Sequence, residues 1–343
     1  MADNDIHPAG RLGGALGIGQ KWGGSAKPAA QASIGRRPGR MAVTTTGLTK
    51  RYGDTCVVDG VDLAVPEHAV YGFLGPNGAG KSTTMKMLLG LVHPTQGSAT
   101  ILGASLTPEN RLEVLRRVGS LIESPSCYPH LTARENLEIA RQLRGLPKSE
   151  IDEVLKIVRL DDPSVHRKRV GNFSLGMKQR LGIACALMGR PPLLLLDEPT
   201  NGLDPSGIHE IRALIKGLPR MFDMTVVVSS HLLSEVDQMA DHVGIICKGR
   251  MVWQGPLASL HACGRHWIGL KTTDNARALE FLPGAQTDPD DAAHLRIKAV
   301  DDVTAARLSL GLAERGIGVV RMEEHEDSLE DIFLAITGME ETL

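Results

Sequence analysis

Gly75-Pro76-Asn77-Gly78-Ala79-Gly80-Lys81-Ser82-Thr83 satisfies the pattern G-x-x-x-x-G-K-[ST] at every fixed position. The apolar run Ala69-Val70-Tyr71-Gly72-Phe73-Leu74 precedes it and reads as a strand. Thr83 to Leu89 follows as a helix, with Gly90 placed to end it. Strand, loop and helix together are the setting in which this motif cradles phosphate. Its glycines let the backbone turn tightly and aim successive N–H groups at one spot, and the helix N-terminus adds partial positive charge there. Lys81 has the reach for β- and γ-phosphates, and the Ser82 hydroxyl suits Mg²⁺. The sequence therefore predicts a nucleoside triphosphate site formed by Gly75 to Thr83.

A second stretch gives the loop a chemical partner. The short apolar strand Leu193-Leu194-Leu195-Leu196 ends in Asp197-Glu198-Pro199. On its own this would read as a solvated strand end. Beside a phosphate loop, Asp197 is placed to hold Mg²⁺ through its water shell. Glu198, one residue further, suits the general base that activates water.

Outward from these motifs, Ala42 to about Leu260 reads as alternating short apolar strands and helices, an α/β layer with a largely parallel core. Val57 to Val65 is expected as one strand and Thr225-Val226-Val227-Val228 as another. A helix is expected over Ala133 to Arg144, and a second from Ser149, with Ser149 and Asp152 in a capping-box pattern. Gly244 to Trp253 reads as strand, tight turn and strand. Residues 265–338 repeat the alternation on a smaller scale, which predicts a small α+β accessory domain ending in an amphipathic helix over Ser328 to Thr337. Residues 1–40 differ in composition: basic, rich in glycine and without periodic apolar content, they are expected to be disordered. Met41, directly before the first strand-like segment, stands as a second candidate start.

Composition narrows the function classes. A formal net charge of -2 argues against nucleic acid as a partner held by bulk electrostatics. The five cysteines are scattered with no C-x-x-C pair, the pattern of reduced, packed thiols. No apolar run reaches the length of a bilayer span.

With these residues in place, the chain resembles the ATP-binding subunits of ABC transporters. Lys50-Arg51-Tyr52-Gly53 matches the segment whose aromatic ring stacks on adenine. Asn172-Phe173-Ser174-Leu175-Gly176-Met177-Lys178-Gln179-Arg180 resembles the signature loop, usually L-S-G-G-Q, with Leu175 and Met177 as departures. Gly202-Leu203-Asp204-Pro205 matches the loop after the acidic strand, and Ser229-Ser230-His231 the switch histidine that contacts the γ-phosphate. Ser328 to Phe333 resembles a tail of exporter subunits.

The resemblance implies ATP and Mg²⁺ as cofactors. It assigns Lys81, Glu198 and His231 to catalysis, and Ser82, Asp197 and Glu123 to the metal. Tyr52, Gly75 to Thr83, Glu123, Ser174 and Gly176 fall to the nucleotide. It implies a separate transmembrane permease, and a homodimer or paired ATPase subunit closing head to tail so that Ser174 of one copy meets nucleotide on Lys81 of the other. The location it implies is peripheral, on the cytoplasmic face of the membrane. Glu123, in Leu121-Ile122-Glu123-Ser124-Pro125, stands where the family usually has glutamine. With Leu131-Thr132-x-x-Glu135-Asn136-Leu137 it resembles bacteriocin and lantibiotic self-protection exporters. The alternative is a non-transport ABC ATPase acting on ribosomes or DNA; such chains carry two phosphate loops or a long coiled coil, and this chain has one loop and no heptad run.

Overall fold

Strands built of uninterrupted apolar residues need cover on both faces, and the central sheet of this chain has it. The computed structural model describes residues 40–289 and 291–338. Its strands are β1 (Met41–Tyr52), β2 (Thr55–Val61), β3 (Ala64–Pro66), β4 (Val70–Leu74), β5 (Gln96–Ile101), β6 (Ala104–Ser105), β7 (Val118–Leu121), β8 (Leu193–Asp197), β9 (Thr225–Ser230), β10 (His242–Cys247), β11 (Arg250–Pro256), β12 (His266–Thr272), β13 (Gln286–Thr287), β14 (Leu295–Lys298) and β15 (Val319–Glu326). Its helices are α1 (Lys81–Leu88), α2 (Arg111–Leu115), α3 (Ala133–Arg144), α4 (Ser149–Ile157), α5 (Pro163–His166), α6 (Leu175–Leu187), α7 (Pro205–Phe222), α8 (Leu233–Met239), α9 (Leu257–His261), α10 (Asn275–Phe281), α11 (Asp302–Ala313) and α12 (Leu329–Thr337).

The central sheet has the order β11-β10-β4-β9-β8-β7, and every pair is parallel except β10 with β11. Side chains alternate between its faces. Leu194, Leu196, Val226 and Val228 enter one core with α3, α4, α6, α7 and α8. Leu193, Leu195 and Val227 enter a second with α1, β1, β2 and β5. Neighbouring β4, β8 and β9 end together, with Leu74 opposite Ser230 and Asp197 opposite Ser229. Gly75, Glu198 and His231 therefore leave the sheet side by side at its carboxyl edge, where open parallel sheets place their ligands.

β1 is the spine of an antiparallel sheet of order β2-β1-β5-β6, with β3 also paired to β1. The strand expected over Val57 to Val65 is broken here into β2 and β3. Thr45 fills the break: its hydroxyl donates to the Val61 carbonyl at 2.7 Å and accepts from the Leu63 N–H at 2.7 Å. The helix expected from Ser149 forms, but without the expected capping box. Its N-cap is Lys148 with no side-chain cap, and Asp152 turns instead to Arg134. The box does form on α3, between Thr132 and Glu135.

Beyond α9 the order β12-α10-β13-β14-α11-β15 folds into an antiparallel sheet ordered β13-β14-β12-β15, the split βαβ or ferredoxin-like arrangement. It has its own core, with Ile268, Leu270, Leu295 and Ile297 under Ala278 of α10 and Leu312 of α11. α12, which the sequence groups with this unit, packs elsewhere. Its Leu329, Ile332 and Phe333 are buried in the first core, beside α8 and α9. The amphipathic pattern gives a helix an apolar face and does not name the surface that covers it. Except for Arg40, the extension expected over residues 1–40 lies outside the described residues.

Candidate nucleotide site

The loop between β4 and α1 is shaped by contacts that only glycine permits. A Cβ on Gly75 would stand 2.3 Å from the Ile246 carbonyl oxygen, and one on Gly80 (φ +107°) 2.8 Å from that of Val57. Gly80 caps α1 in this left-handed conformation, which glycine adopts without steric cost. Lys81, 5% exposed, folds back into the loop. Its Nζ donates to the carbonyls of Gly75 at 2.7 Å and Pro76 at 3.2 Å, and lies 3.5 Å from Glu198 Oε1. The Ala79 N–H closes the turn on the Pro76 carbonyl at 3.1 Å.

Glu198 sits at φ +47°, a left-handed conformation that is strained for a residue with a Cβ. The conformation is held locally. The Glu198 N–H donates to Ser229 Oγ at 3.0 Å, and its carbonyl accepts from the Asn201 N–H at 3.1 Å. The outcome is a carboxylate facing the phosphate loop, with its Oε2 2.7 Å from His231 Nδ1. Asp197, one residue earlier, is buried, and its Oδ1 accepts from the Ser229 hydroxyl at 2.5 Å.

These side chains surround a pocket of about 320 Å³. Asn77, Gly78, Gly80, Lys81, Ser82 and Thr83 line one side, and Glu198, Asn201 and His231 the other, with Val57 of β2 at the edge. Asn201, Val57 and Ser229 are site contributors that the sequence reading did not assign. The signal available for Asn201 was its place just after the acidic strand. Ser229 owes its role to strand register with Asp197, which a sequence does not display.

Other candidates stand apart from this pocket's lining. Tyr52 is half exposed at the end of β1, with Lys50 Nζ 4.9 Å from its ring centre. Ser174 is the N-cap of α6 and accepts from the Met177 N–H at 3.3 Å, with Gly176 in the first turn of the same helix. Glu123 (φ +62°) is two-thirds exposed and pairs with Lys86 of α1 at 2.5 Å. That hydrogen bond holds the Glu123 carboxyl below its ordinary range and raises Lys86.

As to Mg²⁺, the Ser82 hydroxyl and the Asp197 carboxylate are hard oxygen donors, the type this ion prefers. Among the described residues no group of three or more His, Cys, Asp or Glu could hold a metal. An ion that takes most of its ligands from phosphate and water needs only one or two protein oxygens, so the residues present fit it.

Comparison with known proteins supplies the context. The family described as ABC transporter matches residues 58–201. The bacitracin transport ATP-binding protein BcrA of Bacillus licheniformis is 44% identical over 300 residues, 86% of this chain and 97% of that protein. The lantibiotic transport ATP-binding protein SrtF of Streptococcus pyogenes is 44% identical over 205 residues, 60% of this chain and 86% of its own length. Among solved structures, the dimeric ATP-binding cassette MJ0796 in a post-hydrolysis state with ADP and Pi is 26% identical with a TM-score of 0.57. It covers 63% of this chain and 98% of that one.

Proposed function

The chain belongs to the ATP-binding subunits of ABC transporters, and from that premise we propose that it powers efflux of a peptide antibiotic through a separate transmembrane subunit. It binds and hydrolyses ATP as a subunit of an exporter. The observation that carries the substrate class is its similarity along 97% of a bacitracin transport ATP-binding protein. That relative and the lantibiotic one are both transport subunits, so the ribosome- or DNA-associated alternative is not favoured.

In the proposed mechanism Lys81 leaves the Gly75 and Pro76 carbonyls for the β- and γ-phosphates. The N–H groups of Gly78 and of Gly80 to Thr83 hold the remaining phosphate oxygens, and Tyr52 stacks on adenine. Glu198 accepts the proton of the attacking water, while His231 orients its carboxylate and faces the γ-phosphate. Ser82 and Asp197 are the residues that would hold Mg²⁺, with Glu123 as the third residue assigned to it; when bound, the ion would neutralise charge on the β- and γ-phosphates. Ser174 and Gly176 lie outside the pocket that holds Lys81, so they are assigned to the nucleotide of a second copy in a head-to-tail pair. Similarity to the dimeric cassette supports a pair, and the orientation is part of the proposal. No helix among the described residues is long and apolar enough to cross a membrane. The membrane path is assigned to the permease, and this chain to its cytoplasmic face.

The test is the susceptibility, to bacitracin and to a lantibiotic, of a sensitive bacterial host that expresses the chain together with its transmembrane partner subunit. A several-fold rise in inhibitory concentration is expected with the native chain and none with Glu198→Gln. No rise with bacitracin or with a lantibiotic, from a pair whose purified ATPase is active, would refute the substrate class and leave the ATPase assignment standing.

A further inference from the structure

Two loops carry the catalytic side chains, and among the described residues two side-chain hydrogen bonds join them. One is the contact in the pocket, Glu198 Oε2 to His231 Nδ1 at 2.7 Å. The other lies behind it: the Thr200 hydroxyl donates to Glu235 Oε2 at 2.5 Å, with both residues 4% exposed. Thr200 follows Glu198 by two residues and accepts from the Leu203 N–H at 3.2 Å, so it anchors the turn that presents Asn201 to the pocket. Glu235 follows His231 by four residues, in the first turn of α8.

Glu235 is an expensive choice for this place. Its Oε1 is buried with no hydrogen-bond partner among the described residues. A buried carboxylate with one oxygen unpaired costs stability that an apolar side chain of similar size would not. Packing therefore does not account for it.

We propose that Glu235 is a positioning residue which, through Thr200, fixes the Glu198–Asp204 loop to the helix after His231 and so sets the angle at which Glu198 meets the nucleotide. The proposal rests on the assignment of Glu198 as general base. Because Glu198 is strained at φ +47°, its carboxylate is aimed only as well as the turn beside it is held. Thr200 and Glu235 are not among the residues lining the pocket, so the link acts on turnover and leaves nucleotide affinity alone.

The experiment measures kcat, KM for ATP and melting temperature on the full chain, with kcat referred to the fraction that binds MgATP. Thr200→Val keeps the shape and removes the only hydrogen-bond partner that the Glu235 side chain has among the described residues. A misplacement of about 1 Å at a reacting group costs about 10²-fold, so kcat is expected to fall about 10- to 100-fold with KM within about twofold. Thr200→Ser, which restores the hydroxyl, should recover most of kcat. The double variant Thr200→Val/Glu235→Leu should recover melting temperature, since no buried carboxylate is left unpaired, yet keep the low kcat. A double variant that regains kcat together with stability would reduce the pair to a structural contact and overturn the proposal. So would Thr200→Val with native kcat. Glu198→Gln is run alongside: if it turns over like the native chain, the general-base assignment itself fails, and the positioning role goes with it.

Discussion

Replacing Glu198 by glutamine separates its two roles, as a base for water and as a competitor for Lys81. The substitution keeps the size and the acceptor oxygen, so the contact with His231 at 2.7 Å can persist. It removes the negative charge 3.5 Å from Lys81 Nζ. At an effective dielectric of about 20, charges at that distance attract by about 5 kcal/mol. The pocket is open and the Glu198 side chain 20% exposed, so water screens most of this. An incoming phosphate also restores the charge that Lys81 loses. A net release of about 1 kcal/mol is the reasonable scale, as for partly exposed ion pairs. Nucleotide binding should then be unchanged or tighter by up to about fivefold. Turnover should fall by about 10²- to 10⁴-fold, the usual share of a positioned base. Fluorescent-nucleotide titration and phosphate release on one preparation test both, and size-exclusion chromatography with ATP should show a trapped dimer. Hydrolysis within a few-fold of native would remove Glu198 from the chemistry. Affinity that falls tenfold would refute the competition between Glu198 and the phosphates for Lys81.

Lys81→Ala removes the ammonium that now caps the Gly75 and Pro76 carbonyls. A hydrogen bond to a charged group contributes about 1.5–3 kcal/mol, so MgATP affinity should drop about 10- to 100-fold and turnover should vanish; native affinity in a nucleotide titration would mean that the loop is misassigned. Glu123→Gln breaks the pair with Lys86 and leaves the pocket lining intact. MgATP affinity should stay within about twofold, as expected for an exposed ion pair, while antibiotic protection drops relative to basal ATPase rate in the same complex; equal protection and equal ATPase would make the position neutral.

The parts of this site legible in the sequence are those encoded by contiguous residues. Gly75 to Thr83 specifies its own backbone path, because the loop needs glycine at fixed places whatever surrounds it. Leu193 to Leu196 and Thr225 to Val228 read as buried strands because apolar runs of that length have few other uses. Illegible were the relations between segments. Nothing in either strand says that Asp197 pairs with Ser229, yet that register places Ser229 to hold both the Asp197 carboxylate and the Glu198 N–H. Asp152 had a local capping role within reach and took Arg134 instead, a partner from another helix. Glu123 is assigned by resemblance to the family's metal network; its side chain is held by Lys86, through a pairing 37 residues apart in the chain. The same limit applies to α12, whose apolar face fits the first core as well as it would have fitted the βαββαβ unit. It packs in that first core against α8, the helix that follows His231, a contact between segments about a hundred residues apart that no local pattern announces.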